Sequence, residues 1–154
     1  MRARTSVANS PVTLDNLGFL LAKASQRWNE LLYERFVAAG FPEVRPAYGS
    51  LLIPLYEEDG LRQGELARRA RLSKQTLTTM ARVLERDGLV ERRIDQSDAR
   101  ATQIFLTKRA RELRPVAEQV LTDVEAIVIA ALPAHRRKSL KTSLRQIVGP
   151  GLSG

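Results

Sequence analysis

Residues 61–107 read LRQGELARRARLSKQTLTTMARVLERDGLVERRIDQSDARATQIFLT, and the change of period within this stretch decides the fold. Gln63 to Ala70 makes one short helix that turns Leu66, Ala67 and Ala70 inward. Arg71-Leu72 leaves room only for a tight connection, and Ser73 is a good N-cap for the helix that follows. That helix runs from Lys74 to Asp87 with Leu77, Met80, Ala81 and Leu84 on one side, and Gly88 is its natural stop. The period then shortens to that of extended chain. Residues 89–94 and 102–106 predict two strands, with Ile104 and Leu106 alternating inward and the polar stretch Asp95-Gln96-Ser97-Asp98-Ala99-Arg100 between them. Helix, tight turn, helix and two-stranded hairpin is the order of a winged helix-turn-helix.

Charge singles out the same stretch. The chain has 154 residues and a net charge of +8, from 25 Lys and Arg against 17 Asp and Glu. Residues 61–114 hold 14 of those bases and 7 of the acids, a balance of +7, which leaves 11 and 10 for the remaining hundred residues. A basic surface kept for solubility would be scattered, so this concentration points to a polyanionic partner.

The second helix of the pair has a face suited to one. At about 100° per residue, centring Leu77, Met80, Ala81 and Leu84 inward leaves Gln75, Thr79, Arg82 and Arg86 opposite, with Lys74, Thr78 and Thr76 on the borders. In the major groove, Gln pairs with adenine edges, Arg with guanine edges, and Thr reaches phosphate or a thymine methyl. Ser73 to Thr76 would enter first, with backbone amides free for phosphate. An ordinary solvated helix face mixes acids with bases, whereas this stripe holds no acid. At the hairpin, Arg92, Arg93 and Arg100 bracket Asp95 and Asp98. An arginine held on a rigid turn suits the narrow minor groove, and a forked pairing with Asp98 would pre-set Arg100. Taken alone, that pair is equally a weak surface salt bridge.

The flanks read as helices. Leu14, Leu17, Leu21, Ala24, Trp28, Leu31, Leu32 and Phe36 recur at helical steps, ending near Gly40 and Pro42. A second helix starts near Pro46 and carries Leu51, Leu52, Leu55 and Tyr56 inward, with Pro54 expected to kink or split it. After residue 108, Leu113, Val116, Val120, Val124, Ile127, Val128 and Ala131 share a face. Beyond Pro133 a last helix bears Leu140, Leu144, Ile147 and Val148. These long terminal stripes lack an evident third layer, so a second copy of the chain is the natural cover, with packing inside the chain taking part of the area. A two-fold dimer would place its reading helices on a near-palindromic duplex with half-sites about 10 bp apart.

Other classes find little support. Apolar residues make up 44% and charged residues 27%, a globular balance. The longest apolar run, residues 126–133, is far short of the roughly 18 residues of a membrane span. No signal peptide is evident, and there is no cysteine, so a reducing cytoplasm is the expected location. With one histidine, His135, no cysteine and no phosphate-cradling glycine loop, no catalytic site, metal site or cofactor is expected. A winged helix used for protein contacts without DNA readout is the credible rival, since fold alone does not fix function.

Together these motifs resemble the MarR family of bacterial transcriptional regulators. Gly64-Glu65-Leu66-Ala67-Arg68-Arg69 and Ser73-Lys74-Gln75-Thr76-Leu77-Thr78 look like its helix-turn-helix. Leu84-Glu85-Arg86-Asp87-Gly88-Leu89-Val90-Glu91-Arg92, Asp98-Ala99-Arg100-Ala101 and Leu106-Thr107 look like its wing. The resemblance implies a mainly helical fold with a small two-stranded wing, N- and C-terminal dimerisation helices, an obligate homodimer, and repression relieved by a small aromatic or phenolic ligand. It divides the chain into a mobile arm over residues 1–12 and one domain over 13–154. Within that domain, 13–57 and 108–149 form the body and 61–107 the DNA-binding lobe. Carried over, Ser73, Gln75, Thr76 and Arg82 face the major groove with Thr78 and Thr79 nearby, while Lys74, Arg86 and Arg93 complete the DNA-binding candidates. Arg100 reaches the minor groove, supported by Asp98. Trp28, Arg45, Tyr48 and Tyr56 lie on elements that border the ligand cleft in that family, although an aromatic at helical spacing is more often core. Two residues depart from the family pattern: Ala110 stands where glycine is common, and Pro54 sits in the second helix.

Overall fold

A computed structural model describes residues 10–149. Residues 1–9 of the expected arm, and residues 150–154 of the expected domain, lie outside the described residues. Helix α1 spans Leu17–Ala38, starting three residues later than Leu14 because Asn16 caps it, accepting from the amides of Gly18 and Phe19. A 3-10 turn, Pro46–Tyr48, leads into α2, Gly49–Glu57. Pro54 does not split α2. The break falls upstream instead, where the 3-10 turn gives way to α-helix. Of the four residues expected inward, Leu51, Leu52 and Leu55 are buried and Tyr56 is half-buried.

The helix-turn-helix matches expectation closely. Helix α3 spans Gln63–Ala70 and α4 spans Lys74–Arg86. Both end in the same hydrogen-bonded motif. After α3, Arg71 N donates to Arg68 O and Leu72 N to Ala67 O; after α4, Gly88 N donates to Glu85 O and Leu89 N to Leu84 O. The motif needs a left-handed residue at its pivot. Gly88 supplies it freely at φ +77, whereas Arg71 carries a side chain at φ +55.

The two-stranded wing forms as expected, and a third, two-residue strand joins it. Strands β1 (Leu61–Arg62), β2 (Val90–Ile94) and β3 (Thr102–Leu106) form an antiparallel sheet in the order β1-β3-β2. Leu61 pairs with Ile104, and Val90 pairs with Leu106. Two residues are too few to show an alternating pattern, so β1 exists only through its partner. Gly60 makes the approach possible, since a Cβ there would lie 2.6 Å from the Phe105 ring.

Helix α5, Lys108–Ala130, starts at the Thr107 cap and buries Ala110, Leu113, Val120 and Val124. Ala110 is fully buried, so the methyl that replaces the family's usual glycine is packed. Helix α6, Ala134–Val148, has no buried residue. The core runs from Leu31, Leu32 and Phe36 of α1 through α2 to Leu66, Leu77, Ala81, Leu84 and Ile104 under the wing. Among the described residues no helix is long and apolar enough to cross a membrane.

Candidate nucleic-acid interface

Helix α4 begins at Ser73, whose Oγ accepts from the Thr76 amide at 3.1 Å and donates to Thr76 Oγ1 at 2.8 Å. Leu77, Ala81 and Leu84 are buried beneath it, and Met80 is half-buried. This leaves Gln75, Thr79, Arg82 and Arg86 exposed on one acid-free face, as the angular reading requires, with Lys74 exposed on its border at nearly the same angle as Glu85. Their availability differs. The Thr79 hydroxyl donates back to Gln75 O at 3.1 Å and that of Thr78 to Lys74 O at 2.8 Å. Thr78 is half-buried and also accepts from Gln63 Nε2 of α3, so it binds the two helices together. Arg86 pairs with the neighbouring Asp87 at 3.1 Å. Among the described residues, the Gln75, Lys74 and Arg82 side chains have no hydrogen-bond or ion-pair partner.

The wing is held to this helix by one fork. Arg92 Nε and Nη2 donate to the two carboxylate oxygens of Glu85 at 3.0 and 3.1 Å, and the Arg92 amide donates to the same group at 3.2 Å. Hydrogen bonding to Arg92 lowers the Glu85 carboxyl below its ordinary value. Where the wing loop leaves β2, Asp95 accepts from Ser97 Oγ at 2.7 Å, from the Ser97 amide at 2.8 Å and from Arg62 Nε of β1 at 2.6 Å. These donors, Ser97 foremost, hold its carboxyl down to about 2.

At the tip, Asp98 Oδ1 accepts both the Arg100 amide at 3.0 Å and Arg100 Nε at 3.2 Å. The expected fork is therefore not made. One oxygen takes both donors, so the side chain is pinned at its root while its terminal amino groups have no partner among the described residues. The Arg100 side chain is 92% exposed. Arg93 is turned to other work: it pairs with Glu91 at 2.8 Å and lies over the Phe105 ring at 4.5 Å.

Trp28, Arg45 and Tyr56 line a cleft of about 340 Å³ between α1, the turn before α2, and α5. Tyr48 does not line it. Its ring is buried and its hydroxyl donates to Asp87 Oδ2 at 2.5 Å, at the end of α4. Tyr56 spends its proton on Ala110 O at 2.6 Å, and burial raises its hydroxyl to about 12. Among the described residues Arg45 is the one cation on the cleft wall, with its guanidinium 4.8 Å from the Tyr33 ring. Leu113, Ala117 and Leu121 of α5 close the far side. The periodicity had marked Leu113 as apolar, but only packing brings α5 against α2. Pro54 is not on the cleft wall, whereas its neighbours Leu52, Ile53 and Tyr56 are. The sequence marks Arg92 only as a base beside the hairpin loop and gives no role to Arg62 or Glu85, because an ion pair leaves no periodic mark.

Comparison with known proteins places this geometry. The sequence model of the MarR family matches residues 46–102. The HTH-type transcriptional repressor Rv2887 of Mycobacterium tuberculosis is 35% identical over 126 residues, 76% of this chain and 90% of that protein. The transcriptional repressor CouR bound to a 23-mer DNA duplex superposes with a TM-score of 0.74 at 25% identity, covering 90% of this chain and 99% of that one. CouR from Rhodococcus jostii bound to p-coumaroyl-CoA gives a TM-score of 0.67 at 26% identity, over 88% and 94% of the two chains.

Proposed function

The chain belongs to the MarR family of transcriptional regulators, and from that premise we propose that it is a repressor that reads a near-palindromic duplex as a homodimer. The observation that carries this reading is the acid-free exposed face of α4, on which Gln75 and Arg82 have no partner among the described residues. Gln75 and Arg82 read base edges. Lys74, Arg86 and the helix start at Ser73 and Thr76 meet phosphates, and Thr79 packs on the groove wall. Thr78 acts indirectly, by fixing α4 on α3, and Arg93 lends charge beside the wing. Arg100 enters the minor groove from the tip, with Asp98 at its root. CouR, solved on a DNA duplex, supports the same use of the fold.

The dimer rests on apolar surface that one chain leaves uncovered. Leu17 of α1 is 65% exposed and Ile147 of α6 is 60% exposed, and Leu14, Leu20, Leu144 and Val148 accompany them. Two helices with such stripes bury them against their copies. The N-terminal residues 13–57 and the C-terminal residues 108–149 then form the body, and residues 61–107 the DNA-binding lobe.

The cleft is the effector site in this reading. Its 340 Å³ suits an aromatic acid, with Arg45 meeting the carboxylate and Trp28 and Tyr56 flanking the ring. A whole coenzyme A thioester, the kind of ligand seen on CouR, exceeds that volume and would have to extend into solvent.

The test is selection of bound sequences from random duplex DNA by the full chain. A palindromic consensus with affinity falling steeply with salt is expected. Binding indifferent to salt and to Arg82→Ala would overturn the reading in favour of a protein-contact module.

A further inference from the structure

Asp87 stands where a carboxylate is poorly placed. It follows the last residue of α4, at the helix end that carries partial negative charge. Two donors offset this: Arg86 Nε at 3.1 Å on Oδ1 and the Tyr48 hydroxyl on Oδ2. Tyr48 comes from 39 residues earlier in the chain. Its ring is 6% exposed, so its hydroxyl must find a partner inside the protein. The partner it has belongs to α4.

The other polar bonds of α4 to its neighbours show why this one matters. Gln63 joins Thr78 to α3, and Arg92 joins Glu85 to the wing, so both act within the DNA-binding lobe. Tyr48 comes from the turn that begins the body's second helix. Apolar packing beneath Leu77, Ala81 and Leu84 resists separation but is not directional. A short hydrogen bond to a charged acceptor is directional and strong. The flanking residues Arg45, Pro46 and Gly49 wall the cleft, so one turn touches both places.

We propose that Tyr48 is a positioning residue for DNA readout, its hydroxyl holding the C-terminal end of α4 to the body and setting the helix's angle of entry into the groove. The proposal rests on the DNA-binding reading above. The physical cost falls on specificity, because a tilted helix still meets phosphates while its base-edge bonds lose their geometry.

Tyr48→Phe in the full chain keeps the ring and removes the hydroxyl alone. The expected result is a fall of about ten-fold in the ratio of selected-site to random-duplex affinity, the size of one lost charge-assisted hydrogen bond. The salt slope should stay unchanged, since no phosphate contact is removed. Asp87→Asn, which still offers an oxygen to Tyr48, should retain most of the ratio, and Asp87→Ala should not. A ratio unchanged in Tyr48→Phe overturns the proposal, as does an equal loss on both duplexes. Amide hydrogen exchange decides independently of DNA. Residues 85–89 should exchange faster in Tyr48→Phe while α5 does not, and unchanged exchange there refutes the tether. If the wild-type chain prefers no sequence, the proposed function fails, and the exchange result alone judges the tether.

Discussion

Arg92 forks onto both carboxylate oxygens of Glu85, at 3.0 and 3.1 Å, and so joins the wing to the reading helix across a gap of seven residues. Both side chains are about a third exposed, so the pair contributes little to stability. Its contribution is orientation: the wing that carries Arg100 and the helix that carries Arg82 become one rigid reading head.

Glu85→Gln therefore should leave the melting temperature close to wild type while weakening the selected duplex several-fold. Thermal melting and fluorescence anisotropy on the same preparation check this. A large drop in melting temperature with unchanged specificity would contradict the orienting role.

Arg82→Ala should weaken the specific site by about 1–3 kcal/mol and relax preference at one base position. Arg100→Ala should lower affinity most on duplexes with a narrow minor groove, because its free amino groups respond to groove potential. A competition series over A-tract and G·C-rich flanks separates the two, and identical profiles would count against distinct roles.

Asp95 ties the wing loop to β1 through Arg62 and is itself held by Ser97, and its carboxyl is held near 2 against an ordinary 3.8. A depressed carboxylate contributes stability that is complete above the ordinary value and disappears as pH falls through the folded one. The wing loop should thus be intact at about pH 5 and release between about pH 4 and 2. Glu65, held near 2 by Arg68 and Arg69, titrates in the same window. The diagnostic measurement is therefore the difference between wild type and Asp95→Asn, followed at the wing amides by NMR.

The two helix ends form a natural pair of controls. Arg71→Gly removes a side chain from a left-handed position and should stabilise the fold by up to about 1 kcal/mol, part of the relief being returned as chain entropy. Gly88→Ala should destabilise it by about 1 kcal/mol or more for the same reason reversed. Denaturant midpoints measure both, and equal signs would exclude the conformational explanation.

Much of the reading head was legible because its signals are local. The Ser73 cap, the Gly88 stop and the apolar spacing of Leu77, Ala81 and Leu84 all act within a turn or two of chain. Tyr48 shows where that logic ended. An aromatic bordering the expected cleft could serve the ligand or the core; Tyr48 is buried in the core with its hydroxyl on Asp87, and nothing within four residues of either predicts that pairing. Strand β1 escaped for a related reason, since two residues have no period and become a strand only when Ile104 lies beside Leu61.

The sequence by itself determined the order of the α-helices and of the wing hairpin, the acid-free reading face and the concentration of positive charge, because backbone preference, helical period and composition are properties of short stretches. Only the tertiary structure decided which of those charges remain available, which aromatics wall the cleft, and how the wing is aimed. Those outcomes depend on directional bonds between residues far apart in the chain: Arg62 with Asp95, Tyr48 with Asp87, Tyr56 with Ala110. A hydrogen bond needs its partners within about 3 Å and aligned, a condition that is met only once the core has brought the elements together.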